Sequence, residues 1–155
     1  MAIALTVNGS ARIVDVPDAT TLLEVLRNHL GLMGTRYGCG LEQCGACMVL
    51  VDGQPAYACT REASAVAGRS VTTIESLGTP DKPHPLQQAF LDEQAGQCGY
   101  CLSGILASAT ALLARVPRPS EEQVRAALDP HLCRCGAHNR VVRAVLRAAA
   151  AGAAP

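Results

Sequence analysis

The sequence predicts an α+β protein in which a mixed β-sheet crossed by one helix is followed by a small bundle of four helices. Up to residue 77, short segments alternate apolar and polar side chains, as strands do. From residue 85 onward, apolar side chains recur at spacings of three, four and seven, as in helices. Three prolines within residues 77–85 indicate a linker. We therefore expect a domain over residues 1–77, a linker over 78–84 and a second domain over 85–155.

The predicted sheet depends on two turn signals. Asn8-Gly9 and Asp52-Gly53 each separate two short apolar segments, and these dipeptides favour two-residue hairpin turns. A capping box of Thr21 and Glu24 begins the one helix of this half, and Gly31 lies where a C-terminal cap belongs. The expected strands cover residues 3–7, 12–16, 48–51, 55–58 and 70–73.

Four helices are expected after the linker. The strongest pattern is a stripe of apolar side chains over residues 102–113, which Pro117 and Pro119 end. Ser120 and Gln123 form a second capping box at the start of the next helix. Short connections between the helices favour a compact bundle. The expected helices cover residues 86–95, 102–113, 120–128 and 141–146.

The charge pattern argues against a nucleic acid as partner. Thirteen basic residues balance thirteen acidic ones, and the sequence has no basic patch or stripe.

The first residues are typical of a strand rather than of a signal peptide, and the alanine-rich residues 147–155 are too few to span a bilayer. We expect a cytoplasmic chain with no direct membrane insertion, whose association with a membrane would be made through a partner.

The first four cysteines have the spacing of a plant-type 2Fe–2S site. Cys39, Cys44 and Cys47 follow the pattern C-x4-C-x2-C, and Cys59 comes twelve positions later. Glycines in this loop allow the sharp bends that bring three sulfurs to one cluster, and they let backbone N–H groups approach those sulfurs. The alternatives are buried cysteines without a metal and a zinc site, although zinc sites commonly pair two C-x2-C units and this half has one.

The other four cysteines form two pairs, each placed just before a predicted helix. Cys98 and Cys101 precede the long apolar stripe, and Cys133 and Cys135 precede the last helix. The free N–H groups and the positive dipole end of a helix N-terminus favour thiolates and a negatively charged cluster. From the spacing alone, a four-cysteine zinc site or a redox dithiol at Cys98 and Cys101 remains an alternative to a second cluster.

Together the two cysteine motifs resemble those of the small iron–sulfur subunits of the molybdenum hydroxylases, the xanthine oxidase family. Residues 37–47, YGCGLEQCGAC, look like the first cluster loop of that family. Residues 97–101, QCGYC, and 132–136, LCRCG, look like its second cluster motif. The residues that follow, Gly136-Ala137-His138-Asn139, are closer to the nicotinate dehydrogenase and isoquinoline 1-oxidoreductase type than to xanthine oxidases.

The resemblance implies a fold, cofactors and partners. The fold is an N-terminal β-grasp, plant ferredoxin-like domain followed by a C-terminal four-helix bundle, and the cofactors are two 2Fe–2S clusters, each held by four of the cysteines. Residues matching Gln97 and Cys135 contact a molybdopterin cytosine dinucleotide that a large partner subunit holds. The electrons pass to a cytochrome c subunit or to an FAD subunit, and the Gly-Ala-His-Asn segment favours the cytochrome.

The expected function is electron relay within an oxidoreductase complex. The large subunit would hydroxylate an N-heteroaromatic compound or an aldehyde, and this chain has no nucleophile motif, phosphate loop or acid–base pair that indicates a catalytic site of its own. A free two-cluster ferredoxin is the first alternative, although a lone carrier needs only the first domain. A structural zinc protein with two four-cysteine sites is the second alternative.

Overall fold

The computed structural model describes residues 2–152, so Met1 and residues 153–155 of the predicted domains lie outside the described part. A five-stranded mixed sheet has the strand order β2-β1-β5-β3-β4. β1 pairs antiparallel with β2 and parallel with β5, while β3 pairs antiparallel with β4 and with β5. The strands are β1 (Ala2–Val7), β2 (Ser10–Asp15), β3 (Met48–Val51), β4 (Gln54–Tyr57) and β5 (Ser70–Thr72).

Both hairpins turn at the predicted dipeptides. The φ angles are 50° at Asn8, 76° at Gly9, 49° at Asp52 and 76° at Gly53. Two successive residues with positive φ are what a type I′ turn requires, and its twist matches that of the flanking strands. Asp52 also ties its hairpin to β5, since its Oδ1 accepts the N–H of Ser70 at 2.9 Å.

A helical segment that begins at Leu22 packs on the sheet. α1 (Leu22–Glu24) runs directly into a π-helical turn, Val25–His29, which the sequence pattern did not predict. The Thr21 hydroxyl accepts the N–H of Glu24 at 3.2 Å, as the predicted cap requires. Leu22 and Leu26 are fully buried in the core that the segment shares with the sheet. We refer to β1–β5 with this segment as the sheet part.

Residues 85–150 form the expected four-helix bundle, which we call the helical part. α2 packs against α5, and α3 packs against α4. Within residues 2–152, no helix is both long and apolar enough to cross a membrane. The helices are α2 (Pro85–Asp92), α3 (Leu102–Arg115), α4 (Glu121–Leu128) and α5 (His138–Ala150).

Two helices of the bundle begin with a full capping box. The Ser120 hydroxyl accepts the N–H of Gln123 at 3.2 Å, and the Gln123 side chain accepts the N–H of Ser120 at 2.8 Å, which confirms the prediction for α4. At the start of α2, His84 Nδ1 accepts the N–H of Leu86 at 3.1 Å, and the Gln87 side chain accepts the N–H of His84 at 2.9 Å. The second box was not predicted, because imidazole is not among the usual capping groups.

The sheet part and the helical part meet along β3 and α3. Leu50 of β3 packs on Ala107 and Ala111 of α3, and these residues form a small apolar cluster separate from the two main cores. Small side chains on this face of α3 let the helix lie close to the sheet. The contact places the N-terminus of α3 beside the loop that precedes β3, and both of these segments carry cysteines.

Candidate metal centres

The first cysteine set comes together around the loop that precedes β3. Cys39, Cys44 and Cys47 lie on this loop, and Cys59 follows β4, so the fourth sulfur arrives from the second hairpin as predicted. The loop bends through the left-handed region at Gly40, where φ is 67°. Glycine adopts that angle without steric cost.

Another glycine makes room for a sulfur. A Cβ at Gly38 would lie 2.5 Å from Cys44 Sγ, so a larger residue there would displace the loop. The N–H of Cys39 donates to Cys44 Sγ at 3.3 Å, and the N–H groups of Gln43 and Leu41 donate to Cys39 Sγ at 3.2 and 3.3 Å. These bonds favour the thiolate: the N–H of Gln43, followed by that of Leu41, lowers the pKa of Cys39 to about 7.

The remaining two sulfurs of this set form a buried pair. Cys47 and Cys59 are both buried, and their thiols contact each other. Burial, with a smaller contribution from the Cys59 thiol, raises the pKa of Cys47 to about 12. A thiol with so high a pKa is protonated near neutral pH, and binding of a metal ion would release its proton.

A polar contact that sequence reasoning missed ties the loop to the fourth cysteine. The hydroxyl of Thr60, which directly follows Cys59, donates to the Glu42 carboxylate. Glu42 itself has a φ of 58°, a conformation that is uncommon outside glycine, asparagine and aspartate. Nothing in the local sequence around either residue signals the contact. Glu42 therefore contributes to holding the loop in place.

The second cysteine set meets at the N-terminal ends of α3 and α5. Cys101 is the N-cap residue of α3, and Cys133 and Cys135 lie on the loop before α5. The sulfurs of Cys98 and Cys135 are 3.5 Å apart, and the thiol of Cys101 contacts that of Cys133. The structure thus brings together the four residues predicted from the sequence.

Backbone N–H groups and burial act in opposite directions in this second set. The N–H of Tyr100 lowers the pKa of Cys98. Burial acts to raise the pKa of Cys133, but the N–H of Ala137 at the start of α5 and other hydrogen bonds outweigh it, so that this pKa is lowered. Burial raises the pKa of Cys101 to about 12. As predicted, the helix N-terminus supplies donors to a sulfur.

The eight sulfurs are arranged in pairs. Each set contains two sulfur pairs, an arrangement that suits a binuclear group whose two irons each take two protein ligands. The pairs are Cys39 with Cys44, Cys47 with Cys59, Cys98 with Cys135, and Cys101 with Cys133.

The two residues predicted to contact a pterin are neighbours on the exposed side of the second set. Gln97 Nε2 lies 3.4 Å from the carbonyl oxygen of Cys135. Gln97 also lines an open cavity of about 450 Å³, together with Leu102 of α3 and Arg140 of α5. An amide, a carbonyl and a cation therefore lie within one region at this end of the bundle.

The two cysteine loops also touch each other. The N–H of Leu132 donates to the carbonyl oxygen of Cys44 at 3.0 Å, and the Tyr100 hydroxyl donates to the carbonyl of Tyr37. The Arg36 guanidinium lies over the Tyr100 ring, 5.5 Å from its centroid. Sequence reasoning did not find these contacts, because residues so far apart along the chain leave no local signal of their pairing.

Comparison with known protein families agrees with this geometry. Residues 5–71 match the family described as a 2Fe-2S iron-sulfur cluster binding domain, and residues 73–146 match a family described as a 2Fe-2S binding domain. The chain therefore contains two 2Fe–2S binding domains in succession.

Relatives with this arrangement are subunits of oxidoreductases. A nicotinate dehydrogenase subunit of Pseudomonas putida is 53% identical over 95% of this chain and 94% of the relative. The alpha subunit of isoquinoline 1-oxidoreductase of Brevundimonas diminuta is 49% identical over 95% of this chain and 97% of the relative. The crystal structure of quinoline 2-oxidoreductase from Pseudomonas putida 86 matches with a TM-score of 0.93 at 37% identity, over 98% of this chain and 95% of the matched chain. The chain thus belongs to the small, non-catalytic iron–sulfur subunits of the molybdenum hydroxylase family, the electron-transfer subunits of these oxidoreductases.

Proposed function

We propose that this chain relays electrons from a molybdopterin cofactor in a large partner subunit to an external acceptor. The observation that carries the proposal is the arrangement of the eight sulfurs as two sets of two pairs, one set in each family domain. Cys39, Cys44, Cys47 and Cys59 would hold the first cluster, and Cys98, Cys101, Cys133 and Cys135 the second. When bound, each 2Fe–2S cluster would accept and release one electron at a time.

The residues of this chain hold the sulfurs and control their charge. Backbone N–H groups at Cys39 and Cys98 stabilise negative charge on these two sulfurs. Burial of Cys47 keeps water away from the inner side of the first set. Hydrogen bonding and solvent exposure around the sulfurs are the means by which a protein sets the potential of a cluster.

The end of the bundle at Gln97 is the proposed side of electron entry. Gln97 and Cys135 would contact the molybdopterin cytosine dinucleotide, because an amide and a backbone carbonyl beside each other offer a donor and an acceptor to a pterin edge. Arg140 lines the open cavity beside Gln97, and it would attract a phosphate of the dinucleotide part of the cofactor.

We further propose that the complex acts on an N-heteroaromatic compound. Relatives at 53% and 49% identity are named for nicotinate and isoquinoline, and the matched crystal structure is named for quinoline. Aldehyde oxidoreductases are among the relatives at lower identity, which makes an aldehyde the second candidate. The Gly136-Ala137-His138-Asn139 segment resembles that of the nicotinate dehydrogenase type, and this resemblance favours a cytochrome c acceptor over a flavin one. Stoichiometric flavin without haem in the purified complex would exclude the cytochrome.

The metal content of the purified chain tests the proposal. We expect about four irons and four acid-labile sulfides per chain, as two binuclear clusters require. Cys44→Ser should remove the electron paramagnetic resonance signal of the first cluster and leave that of the second. Cys101→Ser should remove the signal of the second cluster and leave that of the first, because the two ligand sets share no residue. Stoichiometric zinc without sulfide would refute the proposal.

A further inference from the structure

His131 is a buried histidine that neither cysteine set uses. It lies two residues before Cys133 and is 3% exposed. Its Nε2 lies 2.7 Å from the hydroxyl of Ser108, a buried residue of α3. The backbone is held as well, since the N–H of His131 donates to the carbonyl of Leu128 at 3.0 Å. The imidazole is therefore fixed within the helical part by α3 and by the end of α4.

The opposite edge of the ring lies against the sheet part. A Cβ at Gly45 would lie 2.2 Å from His131 Nδ1, a distance that leaves no room for a side chain. From the other direction, a Cβ at Gly104 of α3 would lie 2.0 Å from the carbonyl oxygen of Gly45. Gly45 is thus enclosed between the imidazole and α3. The hydrogen bond from the N–H of Leu132 to the carbonyl of Cys44 runs beside this contact.

The two residues of this contact each lie close in sequence to a cysteine, one of the first set and one of the second. Gly45 directly follows Cys44, and His131 is two residues from Cys133. We propose that His131, held by Ser108, is a positioning residue that fixes the first cysteine loop against α3 and thereby sets the separation of the two clusters. The inference rests on the proposed function, because it concerns the spacing of two bound clusters.

The polar ring does more than fill space in this position. A leucine would fill a similar volume without the cost of burying nitrogen atoms. The hydrogen bond to Ser108 fixes the orientation of the ring, and that orientation decides where the backbone of Gly45 can lie. Electron tunnelling rates fall steeply with distance, so a loosened contact slows transfer between the clusters while both ligand sets stay intact.

Two variants distinguish an effect of the position of the first cysteine loop from an effect of the His131 imidazole itself. His131→Ala removes the imidazole, whereas Gly104→Ala pushes the Gly45 carbonyl away from α3 and leaves the imidazole in place. In both we expect full iron and sulfide content, weaker magnetic coupling between the two reduced clusters in electron paramagnetic resonance, and severalfold slower transfer between clusters. Hydrogen exchange at the N–H of Leu132 should become faster in both.

Milder and neutral variants complete the experiment. Ser108→Ala should shift coupling and exchange in the same direction by a smaller amount, and it keeps the test valid if His131→Ala does not fold. Thr110→Ala removes a hydroxyl of the same helix that donates to the carbonyl of Leu106 within α3, so it should behave as wild type.

Two outcomes would overturn the proposal, and a third would overturn the proposed function alone. Unchanged coupling and unchanged Leu132 exchange in both His131→Ala and Gly104→Ala, with both clusters assembled, would refute it. A change in His131→Ala alone would show that the position of the loop is not what matters. If the wild-type chain holds no iron, the proposed function fails, and the exchange measurement, which needs no cluster, still decides whether His131 holds the loop against α3.

Discussion

Truncating one leucine in each core tests the predicted division of the chain into domains over residues 1–77 and 85–155. Leu26 lies in the core of the sheet part and is 0% exposed. Leu113 lies in the core of the helical part and is 1% exposed. Leu26→Ala and Leu113→Ala are therefore matched changes of one side chain, made in separate cores.

Both substitutions should be strongly destabilising, and each mainly in its own domain. Deleting a fully buried leucine side chain typically costs about 3–5 kcal/mol, because apolar contacts are lost and a cavity remains. A loss of about 3 kcal/mol raises the unfolded fraction of the affected domain about a hundredfold, since every 1.4 kcal/mol is a factor of about ten. Among residues 2–152, the apolar contact between the parts comprises the cluster of Leu50, Ala107 and Ala111, together with Ile74 and Leu77, which pack partly buried on the core of the helical part. We expect this limited contact to pass on only a minor share of that loss.

Thermal unfolding followed by electron paramagnetic resonance can measure the two domains separately. Leu26→Ala should lower the temperature at which the signal of the first cluster is lost, and Leu113→Ala should do so for the second. Leu91→Ala, at a side chain that is 65% exposed on α2, is the control and should change neither. Equal loss of both signals in both core variants would show one cooperative unit and refute the division into two domains.

Three further predictions concern the proposed entry side, the acceptor side and a helix cap. Gln97→Ala should slow reduction of the clusters by substrate in the complex, measured by rapid mixing, because the contact proposed for the pterin is lost while both clusters stay assembled. Leu41→Lys should slow transfer to the acceptor but not reduction by substrate, since it places a charge on an exposed side chain of the first cysteine loop. Burial lowers the pKa of His84, so its neutral, capping form stabilises the fold above pH about 6.5 and that contribution is lost as the pH falls. In denaturant titrations, His84→Asn should therefore lose less stability than wild type on acidification, because asparagine caps without titrating.

Each of these predictions has a result that contradicts it. Unchanged reduction by substrate in Gln97→Ala would argue against a pterin contact. Equal slowing of both half-reactions in Leu41→Lys would indicate that the loop as a whole has been disturbed. Parallel stability curves for wild type and His84→Asn between pH 7.5 and pH 5, a range that spans the ordinary histidine pKa of about 6.5, would show that protonation does not break the cap.

Local signals in the sequence predicted most of the fold. Asn8-Gly9 and Asp52-Gly53 turn the hairpins, and the box of Ser120 and Gln123 begins α4, because in each case interacting atoms are within four residues of one another. The π-helical turn at Val25–His29 was not predicted. Its hydrogen bonds join residues five positions apart instead of the four of an α-helix, and its apolar side chains have a similar spacing.

The candidate site was predicted in its ligands but not in its supporting contacts. The spacing of the cysteines identified both sets, because several ligands of each cluster lie close together in the chain. The spacing did not show how the sulfurs pair, nor that a Cβ at Gly38 would meet Cys44 Sγ. Contacts such as Leu132 with Cys44 depend on how the sheet part and the helical part pack, and no short segment carries that information.

The close approach of Gly45 to Gly104 limits which parts of related proteins can be exchanged. A chimera that joins the sheet part of one relative to the helical part of another crosses this contact, wherever in residues 78–84 the two are joined. Any relative that has a side chain at the position of Gly104 would need its own first cysteine loop to match, because a Cβ there lies 2.0 Å from the Gly45 carbonyl. In such a chimera, residues 38–47 and the first turns of α3 should therefore come from the same relative, although the linker lies between them in the chain.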